Sequence, residues 1–160
     1  MIVVSDTSPL NYLILIELHD ILPKLFDRIL IPAAVHHELK SADAPDPIKR
    51  FLVEAPGWLE VRPSPEIDAT LPQLDSGERD VIALALSTKA DSVLLDERKG
   101  RQAARERGLR VSGTLGVIRR AADQGLITLT DALDRLEKTN FRATPKLFNS
   151  LRGSTTRSSP

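Results

Sequence analysis

The sequence predicts a single α/β domain in which helices flank a mainly parallel sheet. The chain has 160 residues, which is the size of one ordinary domain. Short apolar runs with the length of buried strands alternate along it with segments of helical periodicity. This alternation is typical of right-handed βαβ units, whose strands run parallel. Cysteine is absent, which excludes disulfides, thiolate metal sites and cysteine nucleophiles.

The N-terminal third begins with an apolar run at 2–5 that is typical of a buried strand. Ser8 and Pro9 fit the N-cap and the first position of a helix, and apolar residues of 10–18 recur at helical spacing. The elements predicted next are a further short segment around 21–25, a strand at 29–31, a helix at 33–39, a helix at 48–53 and a segment at 58–61 whose type the sequence does not assign.

The second half begins with a strong helix signal, because Asp75 and Glu78 have the spacing of a capping box. An apolar face follows over 81–86. The elements predicted after it are a strand at 92–95, a helix ending near Arg107, a strand at 109–112, a helix opened by Thr114 and a helix at 131–138. We expect one domain over 1–150 and a disordered tail over 151–160, since residues 153–160 are only Gly, Ser, Thr, Arg and Pro.

The formal charge is zero over the whole chain but unevenly distributed. Residues 1–97 carry a net charge of −9 and residues 98–160 a net charge of +9. This asymmetry indicates either an acidic site beside a basic surface or two halves that neutralise each other on folding. The start lacks the basic region of a signal peptide, and the longest apolar stretch, 10–18, is far shorter than a membrane span. We therefore expect a cytoplasmic protein without a membrane segment.

Two acids follow predicted strands directly, Asp6 after 2–5 and Asp96 after 92–95. Parallel sheets bind ligands beyond the carboxyl ends of their strands, so both acids are candidate site residues. Each has a structural alternative as a helix cap or turn residue. For Asp6, the neighbouring Ser8 competes for the capping position, which would leave Asp6 free to point into a cleft.

Further acids lie on predicted helices. Glu78 is either a functional residue or the partner of Asp75 in the capping box. Asp80 is expected to be a solvated acid in the first turn. Glu38 lies near the C-terminal end of its helix, where acids are mildly unfavourable, and it is either a site residue or an exposed surface acid. The histidines lack metal-binding spacing and are expected at the surface.

Four segments occur in an order that resembles the PIN-domain nucleases. They are DTSPL at 6–10, PAAVHHEL at 32–39, GERDVIALA at 77–85 and LLDER at 94–98. Together with GTLGV at 113–117, they are similar to a prokaryotic branch that includes the VapC-type toxins of toxin–antitoxin pairs. The resemblance covers roughly residues 1–125. It implies a mainly parallel sheet of about five strands between helices.

The resemblance also implies a divalent-metal site. Its acidic quartet corresponds to Asp6, Glu38, Glu78 and Asp96, with Asp80 as an alternative third acid and Glu97 as a possible additional ligand. A metal-bound water would be held by the hydroxyl of Thr7 or Ser8. Hard carboxylate oxygens select Mg²⁺ or Mn²⁺ rather than zinc.

The activity implied by the resemblance is endonucleolytic hydrolysis of RNA that leaves 5′-phosphate and 3′-hydroxyl ends. Arg98, Lys99 and Arg101 follow Asp96 and are candidate phosphate contacts, or else a solvated helix face. Because aromatic residues are few, we expect contacts to the RNA backbone to dominate over recognition of bases.

The implied role is that of a toxin inhibited by a small protein antitoxin, with a homodimer as a further possibility. The helix around Leu13, Ile14 and Ile16 is rich in apolar residues, so its surface is either a binding interface or covered by a second layer of the same domain.

The alternative function is a non-catalytic RNA-binding or scaffold protein with the PIN fold, which retention of the four acids disfavours. A third interpretation, a haloacid-dehalogenase-type phosphatase, is disfavoured because such enzymes need Asp-x-Asp after the first strand, whereas Asp6 is followed by Thr7 and Ser8.

Overall fold

The computed structural model of the chain describes residues 1–66, 71 and 74–157. Within these ranges, five strands form one sheet in the order β3-β2-β1-β4-β5, and every neighbouring pair runs parallel. The predicted α/β fold with a parallel sheet between helices is confirmed. The strands are β1 (Ile2–Ser5), β2 (Arg28–Pro32), β3 (Leu59–Arg62), β4 (Ser92–Leu94) and β5 (Arg110–Ser112).

Helices connect the strands and cover both faces of the sheet, as right-handed crossovers require. The apolar runs of β1, β2 and β4 are buried at their centres, with Val3, Val4, Ile29 and Val93 fully inaccessible, whereas the edge strands β3 and β5 are partly exposed. The helices are α1 (Thr7–Leu15), α2 (Ile21–Leu25), α3 (Ala33–Leu39), α4 (Asp46–Glu54), α5 (Ser76–Thr88), α6 (Arg98–Glu106), α7 (Thr114–Asp123), α8 (Leu129–Glu137) and α9 (Pro145–Arg157). None of the helices in these described ranges combines the length and apolar character needed to cross a bilayer.

The strand order reverses direction between β1 and β4. From β1 the chain proceeds through β2 to β3 at one edge, and then returns to place β4 on the other side of β1. The register pairs Ser5 with Leu94, and the amide of Asp6 donates to the carbonyl oxygen of Leu94 at 3.0 Å. The residues that follow these two strands therefore emerge side by side at a topological switch point, where open parallel sheets bind ligands.

The start of α1 differs from the prediction. The helix begins at Thr7, and Asp6 rather than Ser8 occupies the N-cap position with extended backbone angles. Pro9 is tolerated in the first turn because the amides there have no partner within the helix. The Asp6 carboxylate nevertheless makes no capping hydrogen bond to the described part of the helix. A carboxylate that does not cap the helix can still face a cleft, as the sequence predicts for Asp6.

The apolar surface of α1 is covered by the same domain. Leu13, Ile14 and Ile16 are each at most 3% exposed, because α1 packs against α3, α4 and α7. Of the two alternatives for this surface, a second layer of the domain is the one found. These residues therefore give no support to a homodimer interface or an antitoxin groove on α1.

The sequence does not predict the C-terminal helix α9, which the structure contains. Residues 151–157, predicted to lie in a disordered tail, belong to α9. Phe148 is buried, and Leu151 packs against the core. Arg152 forms ion pairs with Asp134 and Glu137 of α8. Contacts with another helix thus favour helical structure in a segment whose own composition does not. The rest of the predicted tail, 158–160, lies outside the described residues.

Candidate active site

The two acids predicted at strand ends lie on either side of the switch point. Asp6 follows β1 and is only 8% exposed. Asp96 lies two residues beyond β4, and its charge is close enough to raise the pKa of Asp6. Parallel pairing of β1 with β4 thus brings together two side chains that are 90 positions apart in the sequence.

Around Asp6, three carboxylates approach one point on the backbone of α5. A Cβ atom built on Gly77 would lie 3.3 Å from Oδ1 of Asp6, 3.5 Å from Oδ1 of Asp75 and 3.9 Å from Oε2 of Glu38. The hydroxyl of Thr7 donates a short hydrogen bond to Oε2 of Glu38. A glycine at this position therefore leaves room for acids from β1, α3 and the start of α5 to approach each other.

Burial raises the pKa of Asp6 from its usual 3.8 to about 7. The negative charges of Asp75, Glu38 and Asp96 add to this effect, while the polar backbone of Thr7 opposes it. The charged form is unfavourable because the carboxylate has lost water without gaining a positive partner. At neutral pH this position is therefore poised between its protonated and charged forms.

Glu78 is a second buried acid of the same region. It is 5% exposed, and its Oε2 would lie 3.2 Å from a Cβ atom on Gly100 of α6. Burial raises its pKa to about 7, and the charges of Asp75 and Asp6 contribute in the same direction. The predicted helix start is confirmed, since the Glu78 amide donates to Oδ1 of Asp75 at 2.8 Å.

Asp80 is placed differently from its prediction as a solvated first-turn acid. It is only 5% exposed, and its Oδ1 has no hydrogen-bond partner within the described part of the chain. The reason is that α5 packs against the sheet on one side and against α3 and α6 on others, so its first turn is covered. A buried carboxylate oxygen without a donor is costly, which keeps Asp80 a candidate alternative to Glu78.

Asp96 is held by hydrogen bonds at the start of α7. The amide of Thr114 donates to its Oδ1 at 2.7 Å, and the hydroxyl of Thr114 donates to its Oδ2 at 2.7 Å. Thr114 is fully buried. A Cβ atom on Gly113 would lie 2.7 Å from Oδ1 of Asp96 and 2.8 Å from an Nη1 atom of Arg101. Only glycine allows this close approach.

The donor chemistry of the site fits a hard divalent cation. All the candidate ligands are carboxylates, the oxygen donors that Mg²⁺ and Mn²⁺ prefer. The crowding that raises the pKa values of Asp6 and Glu78 is the condition that a bound cation relieves. Across residues 1–66, 71 and 74–157, however, no three acidic or histidine side chains already converge with metal-binding geometry. Among the described residues the acids are gathered near one another, but no three of them have the geometry that holds a metal ion.

The remaining predicted site residues are distributed around this centre. Ser8 lines a groove beside Asp96, whereas Thr7 faces Glu38. Glu97 is exposed at the N-cap of α6, and its charge contributes to the raised pKa of Glu78.

Among the predicted phosphate contacts, Arg101 is the one that lines this groove. Arg98 and Lys99 are exposed in the first turn of α6. The groove has a volume of about 430 Å³. We call it the Asp96 groove, and its main lining residues are Tyr12, Asp96, Arg101, Asn140, Phe141 and Arg142.

Several residues of the site carry no functional signal in the sequence. The sequence identifies Asp75 as a helix cap. It does not show that the charge of Asp75 raises the pKa values of Asp6 and Glu78, because that effect depends on how the elements pack. Thr114 is identifiable as a helix start, but not as the donor to Asp96. The segment 140–142 has no recognisable motif and reaches the groove only through the fold.

Comparison with protein families gives one result that covers nearly the whole chain. A family model described as a PIN domain matches residues 2–156. The match includes every candidate acid and the lining of the Asp96 groove. A search of curated proteins finds no match.

Proposed function

Because the chain belongs to the PIN-domain family, we propose that it is an Mg²⁺- or Mn²⁺-dependent endoribonuclease. PIN domains are generally nucleases that act on nucleic acid with divalent metal ions. The observation that carries the proposal is the gathering of buried carboxylates at the switch point of the sheet, with Asp6 and Glu78 raised to a pKa of about 7. Charge crowding of this kind is costly to the fold and is typical of functional sites.

The residues that would hold the metal are Asp6, Glu38, Glu78 and Asp96, with Asp80 and Glu97 as less favoured alternatives. When bound, the ion lowers the pKa of a water molecule and offsets negative charge on the attacked phosphate. Thr7 orients Glu38 through its hydrogen bond. Thr114 orients Asp96 in the same manner from the opposite side of the site.

The basic residues next to Asp96 would position the RNA. Arg101 lies in the Asp96 groove, where its guanidinium can bind a phosphate beside the scissile bond. Arg98 and Lys99 are exposed one turn before it and would attract the neighbouring backbone. Ser8, also in the groove, is available to hold a water molecule. The expected products are ends with 5′-phosphate and 3′-hydroxyl groups.

The test is a cleavage assay with a panel of structured and single-stranded RNAs in Mg²⁺, Mn²⁺ or EDTA. Cleavage in either metal, its loss in EDTA and its loss in Asp6→Asn are the expected results. Labelling of the new 5′ ends before and after phosphatase treatment identifies the product chemistry. RNA binding without cleavage in both metals would instead favour a non-catalytic RNA-binding or scaffold protein.

We further propose that the chain is the toxin of a toxin–antitoxin pair, inhibited by a small protein partner. The motif segments around Asp6 and Asp96 support this branch of the family by resemblance. An acidic site with Arg101 beside it offers ion pairs to either sign of partner charge. A short adjacent gene for a DNA-binding protein is the expected genomic context. Co-expression with its product, pull-down and a cleavage assay test inhibition, and light scattering tests a homodimer. A monomeric chain would contradict the homodimer, and RNA cleavage that is unchanged by the co-expressed product would contradict inhibition by that partner.

A further inference from the structure

The Asp96 groove contains aromatic and amide side chains in addition to the charged groups that could bind a phosphate. It extends from Asp96 and Arg101 to Tyr12 on α1 and to the segment 140–142 before α9. Its volume of about 430 Å³ is within the range of pockets that bind small organic ligands. One wall is aromatic, and the groove also contains two arginines, the carboxylates of Asp96 and Glu97 on the side of the acidic site, and an exposed amide side chain.

The aromatic wall is fixed by packing. The rings of Tyr12 and Phe141 meet edge to face, with centroids 5.0 Å apart and planes at 89°. Phe141 is in turn 6.5 Å from the ring of Phe148, which is buried in the core. Tyr12 and Phe141 are themselves only partly buried. Rigid, partly exposed rings are the surfaces on which unpaired nucleobases stack.

The polar groups of the groove are placed to contact the rest of a nucleotide. The hydroxyl of Tyr12 donates to Oδ1 of Asn140 at 3.1 Å, which orients an exposed amide that can exchange hydrogen bonds with a base edge. A tyrosine hydroxyl is protonated and can donate at neutral pH, and burial together with the charge of Asp96 raises the pKa of Tyr12 further, while Arg142 opposes the shift. Arg101 and Arg142 provide positive charge for flanking phosphates.

We infer that the Asp96 groove binds one unpaired nucleoside of a single-stranded RNA, next to the phosphate presented to the acids. Because the two rings are perpendicular, the base stacks on Phe141 with Tyr12 bordering it, and Asn140 contacts its edge. Arg101 and Arg142 bind the sugar–phosphate backbone on either side. This inference rests on the proposed function and narrows its substrate to unpaired RNA with a base preference beside the cut. It differs from the expectation, drawn from the low aromatic content, that contacts to the RNA backbone dominate over recognition of bases, and the binding test below compares the two.

The test measures RNA binding without cleavage. Fluorescence anisotropy with labelled hexanucleotides of A, U, C or G, in EDTA, gives four dissociation constants for each protein. Phe141→Leu keeps an apolar side chain but removes the stacking surface, and we expect binding weakened about tenfold or more. Asn140→Ala, at an exposed position, is expected to reduce the differences between the four bases. Tyr12→Phe keeps the ring and is expected to retain stacking while altering base preference.

Matched controls distinguish a loss of RNA binding in the groove from a loss of general positive charge and from a failure to fold. Arg105 is exposed on the same helix as Arg101 and does not line the groove. Arg101→Ala and Arg142→Ala should each weaken binding several-fold more than Arg105→Ala. Thermal melts identify any variant that fails to fold, and the exposed positions 140 and 142 keep the test decisive if Phe141→Leu unfolds.

The outcomes distinguish the subsite from the proposed activity. Cleavage by the wild type, with binding and base preference unchanged in Phe141→Leu and Asn140→Ala, overturns the subsite and leaves the nuclease. Loss of binding in these variants, without cleavage by the wild type in any metal, supports the subsite and contradicts the nuclease. Binding of a small protein partner but of no oligonucleotide, lost in the same variants, overturns RNA as the occupant of the groove.

Discussion

The two sides of the acidic site are supported in opposite ways. Asp96 receives two hydrogen bonds of 2.7 Å from Thr114, one from the amide and one from the hydroxyl. Asp6 and Glu78, on the other side, are buried among further carboxylates, and their pKa values rise to about 7. One side is therefore oriented by the protein itself. On the other side, a bound cation would favour the fully charged carboxylates at neutral pH and offset their mutual repulsion.

This difference shows how a metal-dependent site can combine a fixed geometry of some carboxylates with affinity of others for the cation. Donors that orient a carboxylate fix its geometry before any ligand arrives. Buried carboxylates without such donors destabilise the metal-free protein, and a cation that binds them contributes stability by linkage. We expect substitutions on the two sides to have different effects on stability even where they have the same effect on cleavage.

The largest effect is expected from Asp6→Asn and Asp96→Asn. Each should abolish cleavage, because each removes a charged oxygen from the proposed metal site. Thermal melts in EDTA at pH 8 should differ, with Asp6→Asn more stable than wild type because a buried like charge is gone. Asp96→Asn should melt close to wild type, since an amide can still pair with Thr114. Cleavage at the wild-type rate in either variant would refute the assignment of the acids.

The third acid is tested by comparing two residues on the first turns of α5. Glu78→Gln should reduce cleavage more than Asp80→Asn, because Glu78 belongs to the electrostatic cluster with Asp6 and Asp75. Both side chains are 5% exposed, so the substitutions are matched in burial. Initial rates at saturating Mg²⁺ give the ranking, and the reverse order would identify Asp80 as the ligand.

The close approach beside Asp96 is tested by two glycines of the same segment. Gly113→Ala should strongly reduce cleavage, because the added methyl group would lie 2.7 Å from Oδ1 of Asp96 and Thr114 prevents that carboxylate from moving freely. Gly116→Ala is the control: its nearest side-chain atom is the Cβ of Ser112 at 3.5 Å, an ordinary contact. Alanine inside α7 should also raise the melting temperature. Equal activities in the two variants would contradict a tight fit at Gly113.

The support of Asp96 by Thr114 predicts a smaller effect. Thr114→Val keeps the shape and the amide but removes the hydroxyl, and we expect cleavage to fall by about 10- to 100-fold. Thr114→Ser retains the hydroxyl and should recover most of the loss. The apparent metal affinity, measured by titrating Mg²⁺ in the cleavage assay, should weaken in Thr114→Val alone. A purely structural role would instead lower the melting temperature of both variants without changing this affinity.

The smallest effect concerns stability and pH without metal. Asp6 and Glu78 have folded pKa values near 7, above their usual 3.8 and 4.5, so the folded state binds more protons than the unfolded state between these values. The free energy of unfolding should therefore fall as pH rises from about 4 to 8. Glu60, whose pKa is lowered to about 2 by Arg28 and Arg62, loses its contribution only in more acidic solution.

Urea unfolding in EDTA across this pH range measures the slope. Asp6→Asn should flatten it, because one of the two raised groups is removed. Added Mg²⁺ should also flatten it for the wild type by binding the charged carboxylates. A slope that is the same in wild type and Asp6→Asn would show that Asp6 does not have a raised pKa in the folded protein.

Local sequence patterns determined most of the order of elements as far as α8 and the two acids at strand ends, whereas they do not predict α9. Apolar runs such as 2–5 and 92–95 identify buried strands because burial on both faces requires continuous hydrophobic residues. The spacing of Asp75 and Glu78 identifies the start of α5, since a cap acts within one turn. Glu38 is a candidate because acids are mildly unfavourable near a helix C-terminus, and the family resemblance then assigns it to the acidic quartet; in the structure it is exposed.

Only the tertiary structure decided the environment of these residues. The burial of Asp80, the charge of Asp75 beside Asp6 and the bonds from Thr114 to Asp96, 18 positions earlier, arise where separate elements pack. The contact between Tyr12 and residue 140 joins positions 128 apart. Hydrophobic periodicity and capping are properties of a few neighbouring residues, whereas burial, pKa and groove lining depend on which elements the folded chain places against each other.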